Sequence, residues 1–348
     1  MQKSILGRTS IEVSKICLGT MTYGRQNTEK EAHLQMDTAL EHGVNFFDTA
    51  EMYSAPPSAE SQGKTEEYIG RWFKSSRKRD QVVLASKVIG RGFNIPWIRE
   101  GQSRLNQTNI RAAIEGSLQR LQTDYIDLYQ LHWPDREMSL FGKNGVGYSH
   151  AQNEDAVAFE ETLSALQELV DEGKIRSVGL SNESPWGTMK FLELAEQGKG
   201  PRMASIQNAY SLLNRSFEVG LAEIALREDC GLLAYAPLAA GTLSGKYLNG
   251  AKPAGARRTE FTGQTRYMTA NADDAVQAYV DLANTHNIDP SQMALAFVHQ
   301  QSFVTSTIIG ATNQSQLLNT LESIDLTLSD DLMNELQAIH QIYTYPCP

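Results

Sequence analysis

The sequence has no apolar run approaching the roughly 20 residues that a membrane-spanning helix needs. Its opening, MQKSILGRTSIEVSK, holds no apolar stretch of the kind that begins a secretory signal. Cysteine is scarce: Cys17, Cys230 and Cys347 are the only three. They are far apart, odd in number and without CxxC spacing, so neither a disulfide framework nor a metal site is indicated, and a reducing cytoplasm is the expected location. Positive charge is also short, with 31 Lys and Arg against 41 Asp and Glu, a net charge of −10 and no basic run to offset it. Nucleic acid and anionic membrane are therefore not expected partners. No GxGxxG follows a strand pattern, which leaves the nucleotide-binding Rossmann route unsupported. The N-x-S/T sequences at Asn106, Asn182, Asn214 and Asn313 matter only in an exported protein and read as chance.

What is present is an ordinary globular composition, 41% apolar and 21% charged over 348 residues. The stretch KSILGRTSIEVSK places two short extended pieces about a Gly-Arg turn, a hairpin ahead of the main fold. Short β-rich runs then alternate with helical ones. The strand-like runs are ICLGT, VNFFDTA, VVLASKV, YIDLYQLH, IRSVGLS, ASIQNAY, GLLAYAPL and TSTIIGA. Strands this continuously apolar are covered on both faces, as in a parallel sheet wrapped by helices. Eight such units favour a closed (β/α)8 barrel, with an open doubly wound sheet as the alternative. No linker or break in composition divides the chain, so residues 1–348 are expected to form one domain. Two long connections, 90–107 and 133–153, leave strand ends at the C-terminal face, and their Trp97, Trp133, Phe141 and Tyr148 suit a lid or pocket wall.

Polar residues recur where the apolar runs stop: Asp48, Lys87, His132, Ser181 and Asn182. In a barrel these positions open onto one face, and Tyr53 hangs over the same mouth. Each has a plainer reading: Asp48 could cap a turn, Tyr53 could be a loop aromatic, His132 a core histidine. Lys87 resists one, because lysine is rarely buried without a partner. Together they make a sensible acid site. A tyrosine of ordinary pKa about 10 needs a cation beside it to give up a proton near neutrality. Lys87 can supply the cation, Asp48 can keep it charged, and His132 can orient a substrate carbonyl.

The segments DTAEMY, ASKV, YQLHWPD, GKIRSVGLSN, IQNAYSLLNR and LLAYAPLAAGTLSGKY resemble the aldo/keto reductases over nearly the whole chain. YSLLNRSFEVGLAE and YLNGAKPAGAR resemble in particular the bacterial Tas-type branch of that family. The resemblance implies that Asp48, Tyr53, Lys87 and His132 form a catalytic tetrad. It implies a nicotinamide cofactor across the mouth, with Asp48, Gly19, Thr20 and Met21 near the nicotinamide, Ser181, Asn182 and Gln207 on its carboxamide, and Tyr235 stacked on the ring. The segment Ala236, Pro237, Leu238, Ala239, Ala240, Gly241, Thr242, Leu243, Ser244, Gly245 and Lys246 would wrap the pyrophosphate. Small residues and backbone N–H groups there can cradle an anion without the resemblance. Arg257 or Arg258 could reach a 2′-phosphate, which favours NADPH. In IIGATNQSQ, the positions Gly310, Ala311, Thr312 and Gln316 match the family's adenine-side turn. Ile309 stands where a proline is common, and Thr320 where an asparagine is expected, with Asn319 one place early.

The expected activity is NADPH-dependent reduction of an aldehyde or ketone, the pocket lined by Trp97, Trp133, the 133–153 loop and the tail QIYTYPCP. A cofactor-sensing regulatory module on the same fold and a Lys87 Schiff-base enzyme are the alternatives.

Overall fold

The computed structural model describes residues 1–92, 95–141, 147–152, 155–263 and 265–347. Two short antiparallel strands, β1 (Lys3–Ile5) and β2 (Glu12–Ser14), form the expected hairpin, with Lys3 opposite Ser14. Eight parallel strands follow: β3 (Ile16–Gly19), β4 (Phe46–Asp48), β5 (Val83–Val88), β6 (Ile126–Leu131), β7 (Ile175–Ser181), β8 (Met203–Ala209), β9 (Gly231–Tyr235) and β10 (Val304–Ile309). They pair in chain order and β10 closes on β3, so the sheet is a barrel and the open-sheet alternative falls.

The helices are α1 (Glu29–Glu41), α2 (Lys64–Ser76), α3 (Gln107–Leu121), α4 (Phe159–Asp171), α5 (Pro185–Glu196), α6 (Leu221–Arg227), α7 (Arg257–Glu260), α8 (Ala272–Thr285), α9 (Pro290–His299), α10 (Gln314–Glu322) and α11 (Asp330–Ile342). Their starts are written in side chains that cap free N–H groups. Thr28 and Glu31 form a reciprocal capping box at α1, and Ser184 and Asp289 cap α5 and α9 with proline in the first turn. Asn106 and Asn313, met in the sequence as chance glycosylation triplets, cap α3 and α10. The alternation of strand and helix did not announce α7 or α11. The latter is nonetheless signalled by Ser329 as N-cap, two aspartates in its first turn and buried Leu332 and Leu336 one turn apart.

Side chains two apart on a strand share a face, and this period of two builds the barrel in layers. Phe47, Leu84, Tyr129, Val178 and Leu232 point outward into the helical shell. Cys17, Phe46, Ala85, Leu128, Leu233 and Ile308 fill the interior, packed with Leu6, Ile11 and Val13 from the hairpin segment. One step further along the strands, the same inward face becomes polar, at Asp48, Lys87, Gln130 and Gln207. Register holds these together: Gly19 lies opposite Asp48, Lys87 opposite Gln130, Gln130 opposite Gly179, and Ser181 opposite Gln207.

Among the described residues no helix is long and apolar enough to cross a membrane. The three cysteines are free and buried.

Helices α2 and α3, which flank the strand carrying Lys87, touch backbone to backbone. A Cβ at Gly70 would stand 2.2 Å from the Arg120 carbonyl oxygen and 2.8 Å from the Leu121 carbonyl carbon. Gly70→Ala should therefore cost about 2 kcal/mol or more, read as a lower urea midpoint with unchanged slope.

Candidate active site

Lys87 and Asp48 lie within the barrel, and an uncompensated charge there would be severely penalised. They compensate one another. Lys87 Nζ donates to Asp48 Oδ2 at 2.6 Å and to the Thr49 carbonyl at 2.7 Å. Burial alone would lower the lysine's pKa, but Asp48 and Tyr53 together hold it above its usual value. The other carboxylate oxygen, Asp48 Oδ1, accepts from Gln207 Nε2 at 2.8 Å and from Gln130 Nε2 at 3.1 Å.

Tyr53 hangs over this pair, its ring centroid 4.9 Å from Lys87 Nζ. Burial raises the phenol's pKa and Lys87 pulls it down, with burial the stronger effect. The cation therefore acts as expected but does not bring the group below its ordinary value, and Tyr53 is protonated at neutral pH. His132 follows β6 and packs edge-on to Tyr53 with centroids 5.7 Å apart. Burial, reinforced by Lys87, holds its pKa well below normal, so the imidazole is neutral. The ring's Nδ1 is buried without a hydrogen-bond partner among the described residues.

Around this centre Ser181 Oγ donates to the Gln207 carbonyl at 2.9 Å, and Asn182 Nδ2 donates to the His132 carbonyl at 2.9 Å. Tyr235, at the end of β9, donates to Asn182 Oδ1 at 2.7 Å and accepts from Arg266 at 3.2 Å. Thr20 donates from both its amide and its hydroxyl to the Asp48 carbonyl, and the Met21 carbonyl accepts from Ala55. Asp48, Tyr53, Lys87, His132, Ser181, Asn182, Gln207 and Tyr235 are thus linked at one mouth, with Gly19 in register beside Asp48.

From Asn182, Trp133 and Tyr235 a cavity of about 1480 Å³ runs outward past residues 134–139, 147–152 and 156–158, with Arg266, Thr344 and Tyr345 in its wall. The tail contributes as expected. Trp133 is buried, whereas Trp97 is partly exposed and lies outside the wall. Of the expected lid, residues 142–146 and 153 lie outside the described residues. Buried carboxylates tie down the bases of both long loops: Glu51 pairs with Arg99, and Asp135 takes a two-pronged bond from Arg104 plus the Leu105 and Val157 amides.

A family model described as aldo/keto reductase matches residues 15–341. The chain belongs to the aldo/keto reductase family. It is 52% identical to Protein tas of Escherichia coli K12, with both chains covered completely, in keeping with its Tas-type features. It is 33% identical to the uncharacterized oxidoreductase YrpG of Bacillus subtilis, over 97% of this chain and 96% of that one. It is 29% identical to L-glyceraldehyde 3-phosphate reductase of Escherichia coli K12, over 94% of this chain and 89% of that one. Like the family, it is an NAD(P)H-dependent oxidoreductase.

The residues present fit a nicotinamide dinucleotide. Between Pro237 and Arg258 the sequence has Lys246, Lys252, Arg257 and Arg258 and no carboxylate, in a chain of net charge −10. Ala236, Ala239, Ala240, Gly241 and Gly245 all have left-handed backbone (φ 53°, 49°, 57°, 84° and 77°), folding the segment into tight turns of the kind that hold anions on backbone N–H groups. Lys246 makes a cation–π contact with Tyr247, its Nζ has no acceptor among the described residues, and burial lowers its pKa, a situation that an anion would relieve. Arg258 lies 4.6 Å over the Tyr247 ring and reaches Thr242 Oγ1 at 3.4 Å. Arg257 is half-buried, and desolvation lowers its pKa against the opposing effect of the nearby Tyr53, Tyr267 and Tyr247.

The adenine-side turn sits at the end of β10, beside β3. Thr312 donates from its amide and hydroxyl to Gln316 Oε1, while Asn27 and Gln35 hold the Thr312 and Ala311 carbonyls; a Cβ at Gly310 would stand 3.8 Å from the Gly19 carbonyl oxygen. Thr320 is buried against the Gln316 carbonyl, and Asn319 is bonded to Gln292, so each is engaged within the fold.

Gln130 went unnoticed in the sequence, although an amide inside the apolar run YIDLYQL, two places before His132, was the available signal. Lys87→Met should cost about 3–5 kcal/mol by stranding the buried Asp48 charge, and Asp48→Asn in the same chain should restore part of that. Urea denaturation of the single and double variants decides, and a single variant within about 1 kcal/mol of the parent would contradict the pairing.

Proposed function

We propose that this reductase converts aldehydes or ketones to alcohols with NADPH, Tyr53 giving the proton to the carbonyl oxygen, and that the whole chain acts as one domain in the cytoplasm. The observation that carries the reading is the Tyr53 ring held over the buried Lys87–Asp48 pair. The cofactor, when bound, supplies the hydride.

The chain's own residues do the rest. Neutral His132 and Tyr53 hydrogen-bond the carbonyl oxygen and orient it. As negative charge grows on that oxygen, the Tyr53 proton moves to it, and Lys87 stabilises the phenolate left behind. Ser181, Asn182 and Gln207 would hold the carboxamide, Tyr235 would stack on the ring, the 236–246 segment with Lys246 would take the pyrophosphate, and Gly310, Ala311, Thr312 and Gln316 would lie on the adenine side. Arg257 or Arg258 would meet the 2′-phosphate. The aromatic wall that includes Trp133, Trp186 and Phe217 suits an apolar or aromatic carbonyl compound. A Schiff base on Lys87 is disfavoured, because its ammonium is committed to Asp48 and the Thr49 carbonyl. No observation favours the regulatory module.

Tyr53→Phe should lower NADPH-linked carbonyl reduction by about 100-fold or more, the usual scale of general-acid catalysis, with NADPH affinity nearly intact; an unchanged rate would remove Tyr53 from the mechanism. Fluorescence titration should show NADPH binding tighter than NADH. Arg257→Ala and Arg258→Ala, measured separately, should narrow that preference for whichever arginine meets the 2′-phosphate, and equal affinity of the parent for both cofactors would refute the assignment.

A further inference from the structure

Asp48 as a carboxylate is an acceptor only, so both glutamines that face it must present their amide nitrogens. This settles the polarity of a buried chain. Gln130 Nε2 donates to Asp48 Oδ1 at 3.1 Å, Gln207 Nε2 donates to the same oxygen at 2.8 Å, and Gln207 Nε2 also donates to Gln130 Oε1 at 3.0 Å. Both hydrogens of the Gln207 amide are thereby used, and its Oε1 remains as an acceptor.

The barrel makes room for this arrangement. Gln130 pairs in register with Gly179, where a Cβ would stand 3.3 Å from Gln130 Cγ and 2.7 Å from Ser205 Oγ. Gln130 is itself completely buried, two places along its strand from Leu128 of the apolar layer. A polar side chain kept there without function would gain little over an apolar one of the same size.

We propose that Gln130 is a positioning residue of the reductase: with Gln207 it pins Asp48 Oδ1, so that Oδ2 faces Lys87 and the ammonium stays beneath Tyr53. The proposal rests on the reading of Tyr53 and Lys87 given above. The titratable groups around Asp48 are Lys87 and the Cys17 thiol, both buried, and the half-buried Tyr53.

Two variants of nearly equal volume separate positioning from packing. Gln130→Met removes the donor and should lower kcat by about 10-fold or more, as expected for a lost hydrogen bond to a charged group, with the NADPH Kd and the KM of one fixed carbonyl substrate changed by less than about threefold. Gln130→Glu places a second carboxyl beside Asp48, and two carboxylates so close cannot both be ionised. When protonated it can donate to Asp48 Oδ1, so kcat should recover as pH falls and decline as pH rises, a limb that the parent lacks.

The experiment is the kcat–pH profile of parent and both variants, with thermal unfolding and NADPH titration of each. A parental rate and profile in Gln130→Met would overturn the proposal. So would equal, pH-independent losses in the two variants, which would mark a packing effect. If the methionine variant does not fold, the profile of Gln130→Glu against the parent decides alone. Absence of turnover in the parent on any carbonyl compound would instead overturn the functional reading.

Discussion

The organisation of the mouth depends on keeping one ion pair inside a dry barrel. Removing Asp48 and Lys87 from water is costly, and their mutual attraction repays it only when the remaining hydrogen-bonding capacity is filled. It is filled from several strands: Thr49 accepts from the lysine, while Gln130 on β6 and Gln207 on β8 donate to the aspartate. The pair thus couples β4, β5, β6 and β8 at one level. The apolar layer below, sealed by the hairpin, excludes water and keeps the electrostatic interactions strong. Tyr53 and His132 take their states from this setting, one protonated and the other neutral, because burial acts on both and the lysine charge opposes burial in the first case and reinforces it in the second.

A rigid centre alone would not make a binding site. The mouth is walled by long connections whose bases are tied to the barrel by buried carboxylates, Glu51 with Arg99 and Asp135 with Arg104. The post-β9 segment adds a cationic, carboxylate-free stretch to a protein that is acidic overall. A local excess of this kind can attract an anionic cofactor despite the net charge, because screening limits long-range repulsion to about 8–10 Å at ordinary ionic strength.

The hairpin, the strand-helix rhythm and the identity of most residues that gather at the mouth are legible in the residues alone. These are local properties. A strand buried on both faces must be continuously apolar, a polar residue at its end stands out against that background, and helix caps such as Thr28 and Ser184 write their positions in single letters. Even so, α11 was overlooked despite its cap, because the eight-unit rhythm was already complete before it.

Closure of the barrel, the partners of each buried polar atom, and the meaning of residues that look alike in one dimension come from the folded chain. Gln130 lies in an apolar run and gains its significance from Asp48, 82 positions earlier. Trp97 and Trp133 are both loop tryptophans, yet only the second enters the cavity wall. Asn106 and Asn313 cap helices, whereas Asn182 joins His132 to Tyr235. The physical reason is the same in each case. Composition and periodicity state which groups prefer burial, while the satisfaction of a buried donor, acceptor or charge depends on which distant strand stands opposite, and that register exists only once the barrel has closed.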